Sequence, residues 1–161
     1  MMLSRAEIHL LLSLRDSFKT RSELDSEDLC HRDTLSKCLR RMEELGFILR
    51  TPREMDGRYT AEFNLTKWGR EMALILESFQ LKDMPETGLT EQRWRIMLLC
   101  RESKRFGEIR DELEIAEPNV DRQLKILLAA GMIRKGADAY VLTPGGRALV
   151  KALEQKTIQV A

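Results

Sequence analysis

The chain has 161 residues, 27 Lys and Arg against 26 Asp and Glu, and 43% hydrophobic residues, for a net charge of +1. That length suits one domain or two small ones, and the near-zero charge excludes a polybasic binder, so any electrostatic footprint must come from local clustering. No apolar run approaches the ~20 residues a membrane helix needs, and Cys30, Cys38 and Cys100 form neither a disulfide framework nor a CxxC metal knuckle.

In chain order, the opening MMLSRAEIHLLLSLRDSFK has the apolar look of a signal peptide. Glu7, His9, Arg15 and Asp16 interrupt it and no small-residue cleavage site follows, so a cytoplasmic protein is expected. Ile8, Leu11, Leu12 and Leu14 place a first amphipathic helix at about 4–18. A short helix follows at about 21–29. In LSKCLRRMEELGFILR, Leu35, Cys38, Leu39, Met42 and Leu45 line one face of a third helix at about 33–45, and Lys37, Arg40, Arg41 and Glu44 project from the other. Gly46 sits where a helix end wants positive φ. A strand begins at Phe47-Ile48-Leu49, and Asp56-Gly57 marks a two-residue hairpin turn into YTAEFNL. Thr66 is placed to cap a fourth helix, which carries Trp68, Met72, Ile75, Leu76 and Phe79 on one stripe. That stripe fits packing between two domains or a dimer seam. Residues 81–90, with Pro85 and Gly88, read as a short boundary.

The pattern then repeats. Residues 23–50 lie over 108–135 at a constant offset of 85, pairing Lys37 with Arg122, Arg40 with Lys125, Gly46 with Gly131 and Ile48 with Ile133. Leu65-Thr66-x-x-Gly69-Arg70 matches Leu142-Thr143-x-x-Gly146-Arg147 at an offset of 77, so the first copy has eight more residues between its strands. The second copy predicts helices at about 90–103, 106–114 and from Pro118, a strand pair closing at AYVLT, and a last helix capped by Thr143. The expected fold is mainly α with small β-hairpins (α+β), in two domains, 1–82 with a long wing and 83–161 with a short one.

Helix–helix–helix–hairpin is the winged helix-turn-helix plan. Each copy resembles the winged-helix domain of MarR-, PadR- and ArsR-type prokaryotic transcription regulators, the second more closely through RFGEIRDEL, NVDRQLKILLAAGMI and YVLTPGGRALV. The resemblance implies double-stranded DNA as partner, with the third helix in the major groove. In the first copy the residues placed to contact DNA are Arg32, Thr34, Ser36, Lys37, Arg40 and Arg41. Residues 32–41 hold four basic side chains against one acid. Arg53 and Arg58 add a wing, 50–58, for the adjacent backbone or minor groove. In the second copy the matching face is Asn119, Arg122 and Lys125, diluted by Glu117 and Asp121, so a supporting role or a protein partner is expected there. Paired recognition helices also imply a homodimer.

Charged outer faces are usual on amphipathic helices, and solvation alone accounts for many of them. The competing reading is a tandem winged-helix interaction scaffold, similar to endosomal-sorting subunits and the partners of SMC proteins. A sensor in which a ligand or Cys30 shifts the geometry is a third. Cys30 beside His31 is a candidate redox or metal pair, but small core residues are the plainer reading of the cysteines. His9 and His31 have no zinc-ligand spacing, and no G-x-S-x-G, Gly-rich phosphate loop or HExxH occurs. No enzyme activity, metal or cofactor is expected.

Overall fold

The structure, a computed structural model, describes residues 3–160, with side chains through residue 155. These fall into two compact units, one spanning Arg5–Leu76 and the other running from Glu77 onward and including Leu3 and Ser4. The order of elements is α+β, as expected, with short antiparallel sheets among helices.

In the first unit, α1 (Arg5–Ser13) leads through β1 (Lys19–Thr20) to α2 (Arg21–Ser26) and α3 (Arg32–Glu44). The hairpin β2 (Ile48–Met55) and β3 (Arg58–Leu65) follows, then α4 (Lys67–Glu77). α1 ends sooner than its apolar periodicity suggested, because Lys19 and Thr20 pair antiparallel with Phe63 and Glu62 of β3. A capping box starts α2: the Thr20 N–H donates to Glu23 Oε2 at 2.8 Å and the Glu23 N–H to Thr20 Oγ1 at 3.4 Å. α3 buries Leu35, Cys38, Leu39 and Met42 on the predicted stripe, each large apolar side chain contributing about 1.5–3 kcal/mol. It stops in a Schellman arrangement, in which Gly46 has φ +77° and the Phe47 N–H donates to the Met42 carbonyl at 2.9 Å. Met55 pairs with Arg58 across Asp56 (φ +51°) and Gly57 (φ +74°), the two positive values that a type I′ turn requires. β2 is the edge strand of the order β1-β3-β2, which is why Pro52 is tolerated within it.

The second unit has α5 (Glu91–Leu99), α6 (Phe106–Leu113), α7 (Glu117–Ala130), β4 (Ile133–Lys135), β5 (Tyr140–Leu142) and α8 (Pro144–Val160). Pro118 takes the second helical position of α7, one later than expected, behind the cap at Ala116. Residues 81–90, read as a boundary, are packed into this unit. Met84 and Leu89 are buried, and Leu89 exchanges backbone hydrogen bonds with Leu3 at 3.1 and 2.7 Å.

The bonds that close the two units recur pair by pair. Thr66 Oγ1 donates to the Gly46 carbonyl and Thr143 Oγ1 to the Gly131 carbonyl, both at 2.7 Å. Each threonine also caps the helix after it, accepting from the N–H of Gly69 or Gly146 at 3.0 Å. Those two glycines are obligatory for a steric reason. A Cβ at Gly69 would lie 2.1 Å from the Phe47 carbonyl oxygen, and one at Gly146 would lie 2.1 Å from that of Met132. Lys19 facing Phe63 corresponds to Lys104 facing Tyr140.

Candidate nucleic-acid interface

The apolar stripe of α3 faces its own core, so its polar side is left outward by geometry. Arg32, Asp33, Thr34, Ser36, Lys37 and Arg40 are all exposed. Thr34, Lys37 and Arg40 follow one another at steps of three, a single ridge along the helix. Among the described residues neither Lys37 nor Arg40 has an ion-pair or hydrogen-bond partner, so both cations are available. Arg32 is 80% exposed and lies 3.7 Å from Asp25. Ser36 is engaged, accepting from Arg21 Nη1 at 2.8 Å, while Arg21 Nη2 donates to the Arg32 carbonyl at 2.9 Å.

Arg41 is placed differently from its neighbours. Its guanidinium turns toward α1 and bonds both carboxylate oxygens of Glu7, a side chain only 4% exposed. The helical wheel puts Arg41 at the edge of the apolar stripe, and a buried carboxylate there draws it inward. Its first duty is neutralising Glu7.

The hairpin extends for eight residues a strand, roughly 24 Å at about 3.4 Å per residue. Arg58 stands at its tip, exposed and without a partner among the described residues. Arg53 pairs with Glu62 at 2.9 Å and sits 6.0 Å from the Phe18 ring centroid. Arg50 pairs with Glu43 at 3.0 Å and lies over Phe63. Two features escaped the sequence reading. One is Tyr59, 77% exposed beside the tip, signalled only by an aromatic residue in an otherwise polar turn. The other is Arg21, whose position on α2 carried no sign that it would hold the start of α3.

On the matching ridge of the second unit both cations are engaged, one by a neutral amide and one by a carboxylate. Arg122 Nη2 donates to Asn119 Oδ1 at 3.1 Å, and Lys125 pairs with Asp121 at 2.8 Å. Donating to the Asp121 carboxylate raises the Lys125 pKa above the ordinary lysine value. Glu117 binds Arg110 at the N-terminal approach, and with Asp111 it raises the arginine's pKa. The β4-β5 hairpin is three residues a strand. Arg134 and Lys135 are exposed on it, with Lys135 over the Tyr140 ring.

Burial pushes the Cys30 thiol pKa up, against a lowering effect of Arg21, and pushes Cys100 up to about 12. Neither is poised as a thiolate. Among the described residues no three His, Cys, Asp or Glu side chains are grouped to hold a metal ion, and no helix is long and apolar enough to cross a membrane.

Residues 90–135, under a third of the chain, match the family described as bacterial regulatory protein, arsR family. The match spans α5 to β4 of the second unit. No curated protein matches the chain. Among solved structures, the chain is similar to Bacillus subtilis PadR in complex with operator DNA, at 16% identity and a TM-score of 0.43, over 96% of this chain and 92% of that one. That likeness is too slight to bear on function.

Proposed function

We propose that the protein is a sequence-specific double-stranded DNA-binding transcription regulator, built from one winged helix per unit. In this reading α3 enters the major groove, and the 50–58 hairpin lies on the adjacent backbone or minor groove. The observation that carries the proposal is the unpaired ridge of Lys37 and Arg40 beside a long hairpin tipped by Arg58. Cations without internal partners are what counterion release from a duplex requires. Thr34 and Ser36 add hydroxyls able to bond phosphates or base edges. The short match to the arsR family supports a regulator of this general class. A homodimer is part of the proposal, because two half-sites on DNA are read by a two-fold pair of recognition helices.

A duplex pool binding assay across a salt series tests this. Wild type should bind with affinity falling steeply as salt rises, and Lys37→Gln/Arg40→Gln should lower the slope of log K against log salt by roughly 1.8. Absence of binding at low salt would overturn the proposal.

The engaged cations of the α7 ridge, Arg122 with Asn119 and Lys125 with Asp121, favour a second role for its unit, contact with a protein partner. In the limiting form of that reading the whole chain is an interaction scaffold. The same assay separates the two, since a scaffold shows no salt-dependent duplex binding.

A further inference from the structure

The second unit buries a cation that has no counter-charge. Arg93, in the first turn of α5, is 5% exposed. Its Nε donates to Gln123 Oε1 at 2.8 Å, and its Nη1 donates to Thr87 Oγ1 at 2.9 Å and to the Gly88 carbonyl. All three acceptors are neutral. Among the described residues Nη2 has no hydrogen-bond partner. Arginine cannot relieve the cost of burial by losing its proton.

The fold does not demand this arrangement. At the offset of 85, Arg93 corresponds to Ile8 and Gln123 to Cys38, an apolar pair at 1% and 5% exposure in the first unit. The first unit's own buried charge, Glu7, is answered by Arg41. Among the described residues, Arg93 is the buried charge left without an opposite charge.

Arg93 lines an open cleft of about 540 Å³ within the second unit, a size suited to a small organic ligand. Arg122 comes to the same cleft from α7, Thr87 and Thr90 bring hydroxyls, and Pro85 and Ile126 form an apolar wall. Glu91 is the one carboxylate in the lining and is exposed. Burial first, and the nearby Arg122 second, hold the Arg93 pKa below the ordinary arginine value, so the cleft carries an unanswered positive potential.

We infer that this cleft binds an oxyanion-bearing ligand, with a phosphate or carboxylate group seated between Arg93 and Arg122. The Arg93 Nη2 and the Arg122 guanidinium can each donate charge-assisted hydrogen bonds to the oxygens of such a group, and the apolar wall takes the body of the molecule. Arg122 also stands on the outer ridge of α7, where it bonds Asn119, so occupancy draws it from that ridge. The inference is independent of what α3 contacts.

The test is thermal unfolding and titration calorimetry of the full chain with sodium phosphate against sodium chloride at matched ionic strength. Wild type, Arg93→Ile and Arg122→Gln are compared. Phosphate should raise the wild-type Tm by roughly 5–10 °C at 100 times its dissociation constant. Arg122→Gln, an exposed change that leaves the core alone, should need at least about tenfold more phosphate, the effect of losing one charged hydrogen bond. Arg93→Ile, which installs the first unit's residue, should fold and lose the response. A second arm uses a short duplex in place of phosphate. A Tm shift there alone, abolished by Arg93→Ile, would identify the oxyanion as a DNA phosphate rather than a free ligand. No shift from either probe, or equal shifts in wild type and both variants, would overturn the inference.

Discussion

The two units share hydrogen bonds down to single threonines and glycines, yet they treat charge in opposite ways. In the first, the buried charge is paired (Glu7 with Arg41) and the outer ridge of α3 holds free cations in Lys37 and Arg40. In the second, both outer-ridge cations are engaged, Lys125 by the Asp121 carboxylate and Arg122 by the neutral Asn119 amide, and the buried charge, Arg93, has only neutral acceptors. One scaffold therefore directs its unmet positive charge outward in one unit and into a cleft in the other. The segment that matches the arsR family by sequence, residues 90–135, lies in the unit whose outer-ridge Lys125 is neutralised by Asp121.

The shared scaffold can be broken at the same point in either unit. Gly69→Ala and Gly146→Ala each force a methyl group to 2.1 Å from a backbone carbonyl oxygen. Each should cost about 3 kcal/mol or more, read as a lowered midpoint in urea unfolding. Equal losses would show that the two closures are energetically as well as geometrically alike.

The buried charges should respond unequally. Arg41→Ala takes from the buried Glu7 the guanidinium that bonds both its oxygens and should cost about 2–3 kcal/mol, discounted because the arginine side chain is itself 40% exposed. Arg93→Ile strands no opposite charge; it leaves Gln123 Oε1 and the Gly88 carbonyl without that donor but ends the burial of an unpaired cation, so stability in phosphate-free buffer should fall less than for Arg41→Ala. A large loss at Arg93 would mean that its three neutral bonds are chiefly structural.

The outer ridges come next in size. Arg122→Gln/Lys125→Gln should change the salt slope of duplex binding far less than Lys37→Gln/Arg40→Gln does. Arg58→Ala should lower the slope by about 0.9, one phosphate contact, if the hairpin touches the backbone. Equal effects of the two double variants would erase the distinction between the ridges.

The smallest effect is expected from Asp121→Ser, which copies Ser36 and frees Lys125 from its carboxylate. Duplex affinity should rise if α7 lies near DNA and stay constant if it does not, as read by titration at fixed low salt.

Much of this was legible in the residues because its causes are local. The α3 stripe needs only the spacing of Leu35, Cys38, Leu39 and Met42, and the hairpin turn needs only Asp56-Gly57. The threonine caps and the helix-ending glycines act within a few positions of themselves, and repetition made them visible twice. β1 was missed because a two-residue strand has no period of its own and exists only through its pairing with β3. The candidate interface was less legible. Arg41 reads like Arg40 on a helical wheel until α1 is packed beside it.

What the sequence determined by itself, then, was the set of elements, their duplication and the oily side of each helix, all matters of short-range spacing. Tertiary structure alone decided which charges are free. Glu7 meets Arg41 across 34 residues and Arg93 meets Gln123 across 30. A charge is neutralised by whatever lies within a few ångströms of it, and only the packing of helices brings such distant residues that close.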